Sequence, residues 1–144
     1  MDDFTKEDED RIDYTWYSSF LFLTNTMIAL YVSEYSYSLL FFILFSTSIY
    51  YRLNKEKIHA FYIDKLAVVL VTFYGGYAFY SKFNDMPLFI SSCILLTFLL
   101  TNYLFYYGYC TESYCYDKDP ELGYIYHSIL HLVASIGHHM ILLS

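Results

Sequence analysis

The chain has 144 residues, more than half of them hydrophobic and nearly a quarter aromatic, with a net charge of −7. That length is a single domain. Its charge is clumped, with seven of the fifteen acids in the first thirteen residues. A soluble protein of this size gives every helix or strand a wet face. This distribution excludes such a protein, and the acidic balance makes nucleic acid an unexpected partner.

Residues 1–13 read as an acidic, disordered cytoplasmic tail with too little apolar content to bury. Residues 14–144 read as a transmembrane helical domain. Five runs lack Asp, Glu, Lys and Arg: 14–33, 35–51, 66–81, 86–111 and 122–144. A helix needs about 20 residues to span the hydrocarbon core, within a range of about 17–25. Four runs meet that directly. The third is short, but the preceding residues extend its helix back to Ile58, which draws Asp64 and Lys65 into the span. Ionisable groups at that depth are costly and usually functional. Stretches such as SLLFFILF and CILLTFLL do not alternate, so an outer-membrane barrel is set aside. The fold class is therefore all-α, a multi-pass bundle of about five helices.

The first two segments meet at a tight turn around Ser33 and Glu34, and RLNKEK joins the second to the third. Gly75 and Gly76 permit a kink or a close helix approach in the third. Asn84, Asp85, Met86 and Pro87 mark the turn into the fourth, with Pro near a helix start. No internal repeat is visible. Seven of the eight basic residues (Lys6, Arg11, Arg52, Lys55, Lys57, Lys65 and Lys118) fall on the N-terminal side of this arrangement, and Lys82 alone falls on the other. The positive-inside rule then puts the N-terminus in the cytoplasm. The organelle stays open, with the endoplasmic reticulum, the plasma membrane or a viral membrane all compatible. Cys110 and Cys115 lie in a cytoplasmic loop, where a disulfide is not expected.

The polar residues inside the spans converge. His127 and His131 are four apart and share a helical face, with His138 on the same stripe and Ser128 and Ser135 beside it. At about 1.5 Å per residue, His127 and His131 lie roughly 7 and 13 Å from the cytoplasmic end of their helix. Ser48 lies roughly 6 Å inside the second segment and Asp64 roughly 9 Å inside the third. Three segments thus bring four chemistry-bearing residues to similar depths. Two imidazoles and a carboxylate are a zinc-type donor set, and a serine and an aspartate can orient and deprotonate a metal-bound water. The plainer reading is that the histidines only hydrogen-bond neighbouring helices, that Asp64 pairs with Lys65, with Arg52 or with the headgroup region, and that Ser48 bonds its own helix backbone. His59 and His139 read as interfacial.

The pattern resembles the superfamily of membrane hydrolases and receptors that includes alkaline ceramidases and the progestin and adiponectin receptors, often called CREST. Its pattern is Ser-x-x-x-His late in the second helix, Asp early in the third and His-x-x-x-His in the last. Here Ser48 to Arg52, Asp64, and His127 to His131 match those elements, except that Arg52 stands where the first histidine belongs. The family core also has seven helices. The resemblance implies a ceramidase-like zinc hydrolase acting on a lipid amide or ester of the surrounding membrane. His127 and His131 would hold the metal, Asp64 would move a proton, and Ser48 would position the water or oxyanion. Arg52 cannot donate a lone pair. Either Asp64 or His59 completes the site, or the metal is lost and Arg52 pairs with Asp64. In that case the chain is a non-catalytic relative with a structural, receptor-like or partner-binding role. A proton-relay transporter is a third reading, without an inverted repeat to support it.

Overall fold

The structure, a computed structural model, describes residues 13–144. The acidic tail expected over residues 1–13 therefore lies, apart from Asp13, outside the described residues.

The described residues form helices and turns, with no strand among them. The first segment is α1 (Tyr14–Ser19) and α2 (Leu21–Tyr31). Next come α3 (Tyr35–Leu53), α4 (Ile58–Lys82) and α5 (Leu88–Asn102). The chain continues through a π-helical turn, Tyr103–Tyr107, into α6 (Gly108–Thr111). A 3-10 turn at Tyr114–Tyr116 leads to α7 (Pro120–Leu143).

The boundaries follow local chemistry. The Asp13 carboxylate caps α1 by accepting from the Thr15 amide at 3.0 Å. Ser33 takes φ 63° in the turn between α2 and α3. Asp119 caps α7 by accepting from the Glu121 amide at 3.0 Å, with Pro120 in the first helical position.

Two features depart from five plain rods. The first segment breaks at Phe20, where the amides of Phe20 and Leu23 bond to carbonyls three residues back, those of Tyr17 and Phe20. The Ser18 and Ser19 hydroxyls both donate to the Thr15 carbonyl, at 3.2 and 2.7 Å, so side chains compete with the helical ladder there. The fourth segment passes through the π-turn, in which the Tyr103 and Tyr107 rings stack with centroids 4.8 Å apart.

By length and composition, two helices among the described residues are able to cross a membrane: Ile58–Lys82 and the continuous stretch Leu88–Thr111. The expectation of five spans is met by that measure only in these two. The first segment is divided at Phe20, the Tyr and Ser residues of α3 dilute its apolar character, and so do the histidines of α7.

α7 is the central helix, touching α1, α2, α4 and α5, while α3 lies between α2 and α4. The core joins Phe22, Tyr37, Phe41, Leu44, Val71 and Ile141. Large apolar side chains also point outward on α4 and α5, Phe73 and Leu96 among them. Asp13, Lys55 and Tyr124 meet at one end of the bundle. At the other, Lys82 Nζ donates to the carbonyls of Ile141 (2.9 Å) and Leu142 (3.4 Å), closing the C-terminus of α7.

Candidate functional site

Ser48 sits late in α3 and Asp64 two turns into α4, each 5% exposed. Their helices are antiparallel neighbours across the short 54–57 turn, which brings the two together. The Ser48 hydroxyl donates to Asp64 Oδ1 at 2.7 Å. The other carboxylate oxygen faces Lys65 Nζ at 3.3 Å. Lys65 in turn lies over the rings of Tyr51, Phe61 and Phe105. Asp64 thus spends its charge on Ser48 and Lys65, and not on Arg52.

His127 and His131 stand one turn apart on α7, with ring centroids 4.8 Å apart and planes at 89°. His131 is 5% exposed and packs on Phe22. Its Nδ1 is 2.8 Å from the Ser18 hydroxyl. If that hydroxyl donates to the Thr15 carbonyl, it accepts from Nδ1–H, and the His131 Nε2 keeps its lone pair. The His127 ring has no hydrogen-bond partner among the described residues. The cations of Arg52 and Lys65 act electrostatically on both rings.

The stripe continues along α7 as a ladder. Ser135 donates to Asn25 Oδ1 at 2.6 Å, and Asn25 Nδ2 donates to the Ser135 carbonyl at 3.1 Å. His138 bonds the Tyr37 hydroxyl and lies edge-on to Phe41. His139 reaches the Thr24 hydroxyl at 3.2 Å, and Ser128 bonds back to its own helix at the Tyr124 carbonyl. His59 is exposed and bonds Tyr50 at 3.0 Å, away from the other imidazoles.

The site residues therefore come together as two pairs, Ser48 with Asp64 and His127 with His131. No hydrogen bond or ion pair joins one pair to the other among the described residues. A catalytic zinc takes three protein ligands. Among the described residues, no three or more His, Cys, Asp or Glu side chains stand where one ion would reach them all. The donor set is two imidazoles, one ligand short of such a site, with a permanent cation at Arg52 acting on both. A zinc held by His127 and His131 would need a further donor beside them.

Sequence reasoning passed over Ser18, Asn25 and Tyr37. Ser18 and Asn25 were available as polar residues seven apart in an apolar run, hence on one helical face. Cys110, which lies in α6 and not in the loop, and Cys115, in the 3-10 turn, are free thiols, and burial pushes the Cys115 thiol up to about 11 despite nearby Lys65.

No protein-family model matches the chain, and no curated protein or solved structure matches it.

Proposed function

We propose that the chain is a membrane protein of five spans with its N-terminus in the cytoplasm, built on the CREST pattern but acting as a structural or partner-binding protein. The membrane reading is supported by the two long apolar helices and by large apolar side chains that face outward along them. It is also supported by the grouping of Asp13, Lys55 and Tyr124 at one end and Lys82 at the other, as up-and-down passage requires.

The observation that carries the non-catalytic reading is the α7 ladder. His131, Ser135, His138 and His139 each have a partner on α1, α2 or α3. Polar groups placed in hydrocarbon must be satisfied internally, and here that satisfaction ties the central helix to its neighbours. The test is metal content. The purified protein should hold no stoichiometric zinc, and His131→Ala should lower its stability. Stoichiometric zinc that disappears in the His127→Ala, His131→Ala double variant would overturn the reading.

A lipid amide or ester hydrolase is the second reading, favoured by the Ser48–Asp64 bond and by the unpartnered His127 ring. In it His127 and His131 would hold zinc, which would supply an activated water, while Ser48 and Asp64 act beside it. It needs a third donor, and Arg52 is the position at which the pattern expects one.

A further inference from the structure

Among the described residues every lysine has a polar partner. Lys55 meets Asp13, Lys57 meets Asn54, Lys65 meets Asp64, Lys82 meets the end of α7, and Lys118 meets Glu112. Of the basic residues among those described, Arg52 alone has neither a hydrogen bond nor an ion pair. Its Nε is buried without a partner, and its guanidinium carbon lies 5.4 Å from the centre of the Tyr51 ring. The Tyr51 and Tyr50 carbonyls near the end of α3 already accept from Asn54, at 3.1 and 3.0 Å. A guanidinium is always charged and carries five donors in a planar fork. Leaving the buried Nε–H without an acceptor costs free energy that an incoming anion would recover.

Arg52 also lines an open pocket of about 410 Å³, with Lys55, Leu53, Asp13, Trp16 and Tyr17. That size falls within the roughly 300–1,000 Å³ of small-ligand sites. Asp13 is the one acid in the lining among the described residues. Its carboxylate is bonded by Lys55 at 2.6 Å and by the amide and hydroxyl of Thr15, and the Arg52 charge acts on it without a hydrogen bond or ion pair. One Asp against Arg52 and Lys55 leaves the lining net positive among the described residues. Trp16 and Tyr17 supply the aromatic surface typical of a membrane interface.

We propose that this pocket binds a phosphate anion, either the headgroup phosphate of an anionic lipid or free phosphate, through the Arg52 guanidinium with Lys55 beside it. Arginine matches tetrahedral phosphate oxygens through paired N–H donors. The inference stands on the pocket and on Arg52, not on the number of spans.

Trp16 is the single tryptophan and lines the pocket, so its emission reports occupancy directly. The full chain in neutral detergent is titrated with dioctanoyl phosphatidic acid, with inorganic phosphate, and with dioctanoylglycerol, which lacks the phosphate. A saturable Trp16 response is expected from a phosphate ligand and not from dioctanoylglycerol. Arg52→Gln should weaken it roughly ten-fold or more, the scale of one charged hydrogen bond. Lys118→Gln, at an exposed position outside the pocket, should leave it unchanged. Half-saturation at far lower phosphatidic acid than inorganic phosphate assigns the site to a lipid headgroup, and equal values assign it to free phosphate. The proposal is overturned if neither phosphate ligand gives a saturable response, or if dioctanoylglycerol reproduces it. An undiminished response in folded Arg52→Gln also overturns it. The wild-type titration decides the first two outcomes without relying on any variant's folding.

Discussion

Adjacent glycines on α4 offer an internal control for the packing of the central helices. A Cβ at Gly75 would lie 2.5 Å from His138 Cε1 and 3.0 Å from the Tyr37 hydroxyl, whereas one at Gly76 meets nothing within 4 Å. Neither neighbour of Gly75 can retreat easily. Tyr37 is 1% exposed, it and His138 bond each other, and both rings pack on Phe41. Replacing a helical Gly by Ala gains about 0.5–1 kcal/mol of backbone preference. Forcing a methyl into a filled interior costs about 1–3 kcal/mol. The backbone gain is common to both sites, so Gly75→Ala should be less stable than Gly76→Ala by about 1–3 kcal/mol. Gly76→Ala itself should be neutral or slightly stabilising. Unfolding of both variants by SDS titration from a mild detergent, followed by far-UV circular dichroism, measures the difference. Equal midpoints would show that α4 does not lie against the Tyr37–His138 pair, and the arrangement of α3, α4 and α7 would have to be redrawn.

Ser48→Ala leaves the Asp64 carboxylate without its hydroxyl donor in a 5% exposed position, and should cost about 1.5–3 kcal/mol in the same titration. A change below about 0.5 kcal/mol would mean the bond contributes nothing to the fold. For Asp13, burial raises the carboxyl pKa, but the bonds from Lys55 and Thr15 and the charge of Arg52 outweigh it and hold it below the usual 3.8. A depressed folded value gives stability that is complete above the unfolded pKa of 3.8 and is lost as pH falls through the folded value. Melting temperatures between pH 2 and 5 should therefore fall more steeply for the wild type than for Asp13→Asn, and parallel curves would refute the coupling. Arg52→His removes a permanent cation and adds a neutral imidazole. Zinc content should rise with stability retained, whereas no zinc in either protein would end the second reading.

The helical architecture was legible because charge punctuates the apolar runs. Extending the third segment back to Ile58 follows directly from the RLNKEK turn, and α4 begins there. The pairing of Ser48 with Asp64 was legible too, since equal depth on antiparallel neighbours leaves few other geometries. The same reasoning placed His127 and His131 on one face, but depth alone did not say what that face meets. Ser18, Asn25 and Tyr37 meet it, and their side chains lie on helices whose rotation about their axes the runs do not fix. The break at Phe20 was hidden because Ser18 and Ser19 act on the backbone by local hydrogen bonds that hydropathy does not register. The π-turn at Tyr103–Tyr107 had no signal in an unbroken apolar run. Lys65 and Arg52 were both open as partners for Asp64, and the fold gives Asp64 to Lys65 and leaves Arg52 without an ion pair among the described residues.

The membrane topology is tested most directly by the sidedness of single cysteines, introduced after Cys93, Cys110 and Cys115 are replaced by Ala. Glu56 in the turn before α4, Asn84 in the turn before α5 and Lys118 in the turn before α7 are all exposed. Sealed vesicles of known orientation are treated with a membrane-impermeant maleimide. Glu56→Cys and Lys118→Cys should label from the cytoplasmic face only, and Asn84→Cys from the opposite face only. Labelling of Glu56→Cys and Lys118→Cys from opposite faces, or of all three from one face, would contradict a five-span bundle with a cytoplasmic N-terminus.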